Sequence, residues 1–205
     1  MRFDRPPPYF PAMRIAVAVS GGGSNLQALL DTLPAGGPAQ VVLALSNSAK
    51  AGGLARAEAK GVTTAVFRDH ASGAEWLALL EAHGIDLVVL AGYLKLVPRE
   101  VTARFRGRIV NIHPALLPAF GGPGMYGKRV HEAVLAAGVS ESGCTVHLVD
   151  EEYDRGEILA QARVPVLPND TAESLAARVL AEEHKLLPRV VLDLATRAPT
   201  LDPRS

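Results

Sequence analysis

Along the first half of the chain, short apolar runs of strand length alternate with segments of helical periodicity. No other feature restricts the fold as much. Residues 14–20 (RIAVAVS), 40–46 (QVVLALS), 62–67, 86–91 (DLVVLA) and 108–112 are brief and rich in Val, Ile and Leu, as strands buried on both faces are. Between them, 24–33, 51–60, 73–83 and 98–105 read as helices. The first stops at Pro34, the next two end at Gly61 and Gly84, and the fourth opens on Pro98, which suits a first turn. Strand–helix alternation with right-handed crossovers predicts an α/β, doubly wound, Rossmann-like fold with a mainly parallel sheet.

The pattern then changes. Residues 113–127 form a long loop with three prolines and four glycines, and long loops inside compact domains are usually functional or disordered. A helix is predicted over 128–137. Residues 144–149 (CTVHLV) and 158–166 read as two strands joined by the acidic segment 150–157, an antiparallel C-terminal hairpin beside the main sheet. Residues 172–195 are helical in pattern, with an interruption expected at Pro188. One domain is expected over 13–195, preceded by a loose proline-rich extension (1–12) and followed by a polar tail (196–205).

Charge narrows the function classes. Lys and Arg together number 21, as do Asp and Glu, so no net field calls for nucleic acid or an anionic membrane, and any anion site must be local. Aromatic residues are only 5% and form no stripe with basic ones, which argues against a nucleic-acid surface. No apolar run approaches the roughly 20 residues needed to span a bilayer. The lone Cys144 permits no internal disulfide and suits a reducing compartment; with no apolar signal core at the N-terminus, a cytoplasmic location is expected. Cys144 has no basic neighbour in sequence and reads as a buried strand residue. No His/Cys/Asp cluster has metal-ligand spacing, so no metal is expected.

Three constellations can carry chemistry. Ser20-Gly21-Gly22-Gly23-Ser24-Asn25 joins the first strand to the first helix. A glycine turn entering a helix N-terminus presents free N–H groups and the positive end of the dipole, a fit for one phosphate. The same turn also serves as a plain capped turn. Leu26 stands where a dinucleotide fingerprint needs its third glycine. Asn111-Ile112-His113-Pro114 ends the fifth strand, at the edge where open parallel sheets bind ligands. Strand alternation puts Asn111 and His113 on one face, able to hold a developing oxyanion; a turn-closing Asn and a backbone-satisfied His are the plainer alternative. Asp154, in the acidic turn before Gly156, can reach back to His113, raise its pKa and relay a proton, unless the turn is only solvated surface. Leu94, Lys95, Leu96 and Val97 follow the fourth strand and suit a slot for a flat heterocycle. His147 reads as a core or supporting residue, and Glu183 lies on the last helix. Gly122-x-x-x-x-Gly127-Lys128 resembles a Walker A loop, but Arg129 replaces the metal-binding Ser or Thr.

With these residues in view, SGGGSNLQ at 20–27, NIHPALLP at 111–118 and GCTVH at 143–147 followed by Asp154 resemble the phosphoribosylglycinamide formyltransferases, over residues 13 to about 188. The resemblance implies the formyltransferase fold and transfer of a formyl group from 10-formyltetrahydrofolate to the amine of glycinamide ribonucleotide, in purine synthesis. It implies that Asn111, His113 and Asp154 are catalytic and that Gly22, Gly23, Ser24 and Asn25 hold the substrate phosphate. Glu183 would meet the substrate amine. Leu94, Lys95, Leu96, Val97, Asn111, Asp150 and Asp154 would bind the folate, with His147 in support. Partners would be these two small molecules, without nucleic acid or membrane, and the protein a monomer or homodimer. The sequence departs from the family at three places. Near Ser72 only Arg68 and His70 can meet a folate tail, the loop at 120–127 is longer, and Arg155 replaces a glycine. A formyltetrahydrofolate hydrolase, a transfer-RNA formyltransferase and a non-catalytic sugar-phosphate binder are the rival readings.

Overall fold

The computed structural model describes residues 12–197. Seven strands form one sheet in the order β3-β2-β1-β4-β5-β6-β7. The strands are β1 (Met13–Val19), β2 (Ala39–Ser46), β3 (Thr63–Val66), β4 (Leu87–Leu90), β5 (Ile109–His113), β6 (Glu141–Leu148) and β7 (Ile158–Pro165). Pairing is parallel from β3 to β5; β6 joins β5 antiparallel, and β7 joins β6 likewise. The helices are α1 (Ser24–Thr32), α2 (Gly52–Ala59), α3 (Gly73–Ala82), α4 (Arg99–Arg104), α5 (Lys128–Ala136) and α6 (Ala172–Arg197). The mainly parallel sheet with its antiparallel hairpin is as the sequence predicts.

Both faces of β1 are buried, which explains why its sequence shows no polar alternation. Ile15, Val17 and Val19 pack with Leu26 and Leu29 of α1 and with Leu175, Val179 and Leu187 of α6. Ala16 and Ala18 face the other layer, where Trp76 and Leu80 of α3 and Val101 of α4 fill the space the alanines leave. Trp76 stacks on Phe67 (centroids 4.4 Å apart) and meets the edge of Tyr93, which anchors the loop after β4.

Three expectations need correction. The last helix is not interrupted at Pro188 and continues past residue 195, through Thr196 to Arg197, so the expected polar tail begins in helix. Pro188 forfeits one intrahelical hydrogen bond, but Leu186, Leu187, Val190 and Val191 on either side of it are buried, and that apolar stripe holds the helix together. The first hairpin strand starts at Glu141 rather than 144, because Glu141, Ser142 and Gly143 pair with Pro165, Val164 and Arg163. The rest of the expected extension and tail, 1–11 and 198–205, lies outside the described residues.

Thr145 couples the sheet to the loop that leaves β5. Its fully buried hydroxyl donates to the Ala115 carbonyl (2.7 Å) and accepts from the Leu117 N–H (3.0 Å) and from Gln161 Nε2 (2.9 Å). One donor and two acceptor positions are thus all used. Thr145→Val keeps the shape and strands the Ala115 carbonyl and the Leu117 amide; a loss of about 2 kcal/mol is expected, read as a lower urea midpoint with an unchanged slope.

Candidate active site

Strand order reverses between β1 and β4, and the loops leaving their C-terminal ends meet there, as at the ligand crevice of an open parallel sheet. The Ser20 amide donates to the Gly92 carbonyl (3.1 Å), and Ser20 Oγ accepts from the Leu94 N–H (2.9 Å) while donating to Asn47 Oδ1 (2.7 Å). The glycine turn and the segment at 94–97 are therefore one rigid rim. Gly23 caps α1 in the left-handed region (φ 73°), with no side-chain cap. A side chain there would also run into Gly53, so both conformation and space require glycine.

Asn25 opens the first turn of α1 and points across to α6. Its Nδ2 donates to Glu183 Oε2 at 2.6 Å, linking residues 158 positions apart. Burial pushes the Glu183 carboxyl up, against the hydrogen bond from Asn25, which lowers it. The residues expected to hold the phosphate and the amine are thus neighbours in space.

At the end of β5 the register does the positioning. Asn111 lies opposite His147, and His113 opposite Thr145. Asn111 Nδ2 is 3.0 Å from His147 Nε2, and His147 Nδ1–H donates to the Leu148 carbonyl (2.8 Å). His113 is only 3% exposed. Its Nε2–H donates to the Phe120 carbonyl (2.8 Å), and its Nδ1 faces Asp154 Oδ2 at 3.6 Å. Asp154 also accepts from the Gly122 N–H (2.9 Å), and its Oδ1 is 3.5 Å from His147 Nε2. It sits in the left-handed region (φ 56°), which Asp tolerates better than most residues. Gly121 lies flat against it; a Cβ on Gly121 would be 3.1 Å from that of Asp154.

The electrostatics amend one expectation. Burial lowers the His113 pKa and outweighs Asp154 and the Phe120 carbonyl, which raise it. The imidazole is therefore neutral in the unliganded protein at neutral pH, not held cationic by Asp154. Burial raises the Asp154 carboxyl, but His147, the His113 charge and the Gly122 amide together hold it below the ordinary carboxylate value, so it is ionised.

Asn25, residues 94–97, Asn111, His113, Asp150, Asp154 and Glu183 all line one cleft of about 580 Å³. Gly22, Gly23 and Ser24, which immediately precede Asn25 in the chain, are not among its lining residues, whereas His147 is. Arg68 and His70 do not line it; Arg68 reaches toward Glu75 instead. The sequence reading missed Tyr126, Lys128, His131 and Glu173, which also face the cleft. Lys128 bridges α5 to Glu173 at the start of α6 (2.6 Å). The signal for His131 was its place one turn into a helix that follows the long loop. A second depression of about 800 Å³ shares Leu96, Gly122 and Asp154 with this cleft but contains neither Asn111 nor His113. No group of three His, Cys, Asp or Glu among the described residues is arranged to hold a metal ion.

A glycine turn at the switch point, with an Asn–His–Asp cluster at the end of the next strand but one, defines the class. The chain belongs to the formyl transferase family, whose model matches residues 13–191. More particularly, it is similar to proteins named phosphoribosylglycinamide formyltransferase. It is 50% identical to the chloroplastic Arabidopsis thaliana protein over 186 residues, 87% of this chain and 64% of that one. It is 40% identical to the Haemophilus influenzae protein, covering 87% of this chain and 85% of that one. The chain thus spans a little under two thirds of the plant relative's length. Among solved structures, the phosphoribosylglycinamide formyltransferase of Anaplasma phagocytophilum superposes with a TM-score of 0.84 at 40% identity, over 91% of this chain and 88% of that one. That of Brucella melitensis gives 0.81 at 45%, over 94% and 99%.

Burial also lowers the pKa of His131, with His113 adding to the effect. Both histidines are protonated more readily unfolded than folded. Stability is therefore complete above the unfolded value of 6.5 and falls as pH drops from there toward the lower folded values. Asp154, lowered from 3.8, acts only in more acid solution. Melting temperature should fall between pH 7.5 and 5, and less steeply in His131→Gln.

Proposed function

We propose that the chain transfers a formyl group from 10-formyltetrahydrofolate to the amine of N1-(5-phospho-D-ribosyl)glycinamide in purine biosynthesis. The observation that carries the reading is the convergence of Asn111, His113 and Asp154 in one cleft whose other wall is the Asn25–Glu183 pair beside the glycine turn. Relatives at 40–50% identity named for this reaction support it, as does the curated trifunctional purine biosynthetic protein of Drosophila melanogaster, 42% identical over 199 residues.

In this reading the glycine turn holds the phosphate through the amides of Gly22, Gly23, Ser24 and Asn25. The carboxylate of Glu183 takes the amine. The folate ring enters between the 94–97 segment and the loop from Asp150 to Asp154. The neutral amine then adds to the formyl carbon, and the carbonyl electrons move onto oxygen. Asn111 Nδ2 has a second hydrogen to give that oxyanion. The His113 N–H exchanges the Phe120 carbonyl for it, and the gathering negative charge, with Asp154 behind the ring, favours the cation that burial disfavours, its added proton coming from the attacking amine by way of Asp154 and leaving again as the adduct collapses. The tetrahedral adduct collapses by breaking its bond to N10, while the amine proton passes by way of Asp154 and water to N10. The products are the N-formyl ribonucleotide and tetrahydrofolate, with no covalent enzyme intermediate and no metal. Cys144 is buried and free, which suits a reducing compartment such as the cytoplasm.

The test follows absorbance on mixing the purified protein with 10-formyltetrahydrofolate, with and without the ribonucleotide. Deformylation that requires the ribonucleotide supports the reading; deformylation at the same rate without it would make the chain a hydrolase. His113→Ala and Asp154→Asn should each lower kcat by a hundredfold or more, about 3 kcal/mol of barrier, with an unfolding midpoint near that of the unaltered chain. Near-normal kcat in either variant refutes its assigned role.

A further inference from the structure

The glycine turn does not set its own shape. The start of α2 packs edge-on against it, with Gly52 and Gly53 beside Gly22 and Gly23. The Gly53 N–H donates to the Gly21 carbonyl (3.1 Å) and Arg56 Nε–H to the Gly22 carbonyl (2.8 Å). Arg56 Nη1 also reaches Gln27 Oε1 in α1 (3.3 Å). A trans peptide is planar, so its carbonyl and its N–H point opposite ways. Turning the carbonyls of Gly21 and Gly22 toward α2 therefore turns the amides of Gly22 and Gly23 away from it. These amides, like those of Ser24 and Asn25 in the first turn of α1, have no acceptor among the described residues. A second observation marks the same place. The Asn25 side chain is buried and lines the cleft, yet its Oδ1, an acceptor, has no partner, so it calls for a donor on the substrate beside the anion.

We propose that Arg56 is a positioning residue for the substrate phosphate: it holds the Gly22–Gly23 peptide so that the Gly23 amide faces the anion, without contacting the anion itself. The proposal rests on the reading of this turn as the phosphate site. The guanidinium suits the task because Nε and Nη1 are held in one plane, so the bond to Gln27 fixes the angle of the bond to Gly22. Lysine can supply one of these bonds but not the fork. The Arg56 stem lies over Gly23, its Cδ 3.7 Å from where a Gly23 Cβ would stand. Nothing else on α2 can replace it, since the next turn begins with Lys60, which pairs with Asp31.

The experiment compares the ribonucleotide with its dephosphorylated riboside as formyl acceptors, for the unaltered protein and for Arg56→Ala, Arg56→Lys and Arg56→Gln. Arg56→Ala should raise KM for the ribonucleotide about tenfold, the worth of one charge-assisted hydrogen bond. It should leave kcat, KM for the folate and kcat/KM for the riboside close to their starting values. Arg56→Lys should recover part of the loss and Arg56→Gln little of it. Urea unfolding of each variant separates loss of the loop's shape from loss of the fold. Equal losses on ribonucleotide and riboside, or an unchanged ribonucleotide KM in Arg56→Ala, overturn the proposal. If the unaltered protein treats both acceptors alike, the phosphate reading of the turn fails, and this proposal with it. Discrimination that survives undiminished in all three variants overturns the role of Arg56 alone.

Discussion

The register between β5 and β6 is the constraint on which the site depends. Asn111 faces His147, and His113 faces Thr145. Because side chains alternate along a strand, a slip of one residue would send His147 to the opposite face and leave Asn111 without its neighbour. The register is held from outside the ladder as well. Thr145 grips Ala115 and Leu117 beyond the end of β5, and Gln161 of β7 donates to both the Leu117 carbonyl and the Thr145 hydroxyl. Side chains of β6 and β7 therefore agree on one alignment with the backbone that leaves β5. The antiparallel direction of β6 matters equally. Its end lies beside Val110, so the loop that follows must double back along the sheet to reach the rim, and that return carries Asp154 to His113.

The second half of the site comes from the switch point. With β4 beside β1, the loops from both strands emerge side by side, and Ser20 fastens them together. The bond from Asn25 to Glu183 then closes the cleft from the far end of the chain. Each wall is borne by a rigid element buried against the sheet, which suits a site where catalytic groups must be held to fractions of an ångström.

Much of this was legible in the residues. The five apolar runs and their glycine and proline stops mark the parallel strands because burial on both faces leaves little room for polar side chains. The glycine turn and the strand-end Asn–His pair were legible because each is a local motif with its own chemistry. Distance in sequence hides the rest. Nothing near Asn25 announces Glu183, and nothing near Gly22 announces Arg56, since each pair meets only when the sheet brings two helices together. Pro188 misled for a related reason: its local cost is visible, whereas the burial of Leu186, Leu187, Val190 and Val191 that outweighs it belongs to the assembled core. The charge of His113 was misjudged because an adjacent carboxylate can be read from a pattern, but the depth of burial cannot.

That depth has a chemical use. The two ring nitrogens of His113 face the Phe120 carbonyl and the Asp154 carboxylate, both acceptors, so the geometry around the ring is already that of an imidazolium. Desolvation above all, with the neighbouring His147 adding to it, pulls the ring's pKa down against those two acceptors. An arrangement poised in this way responds to new negative charge within the cleft more strongly than one that is cationic from the start. On the proposed reading the substrate carbonyl carries little charge on arrival, and the oxyanion that tips the balance exists only as the adduct forms. The favourable interaction is then made mostly in the transition state and little in the ground state, the condition under which binding energy raises turnover rather than only tightening substrate binding.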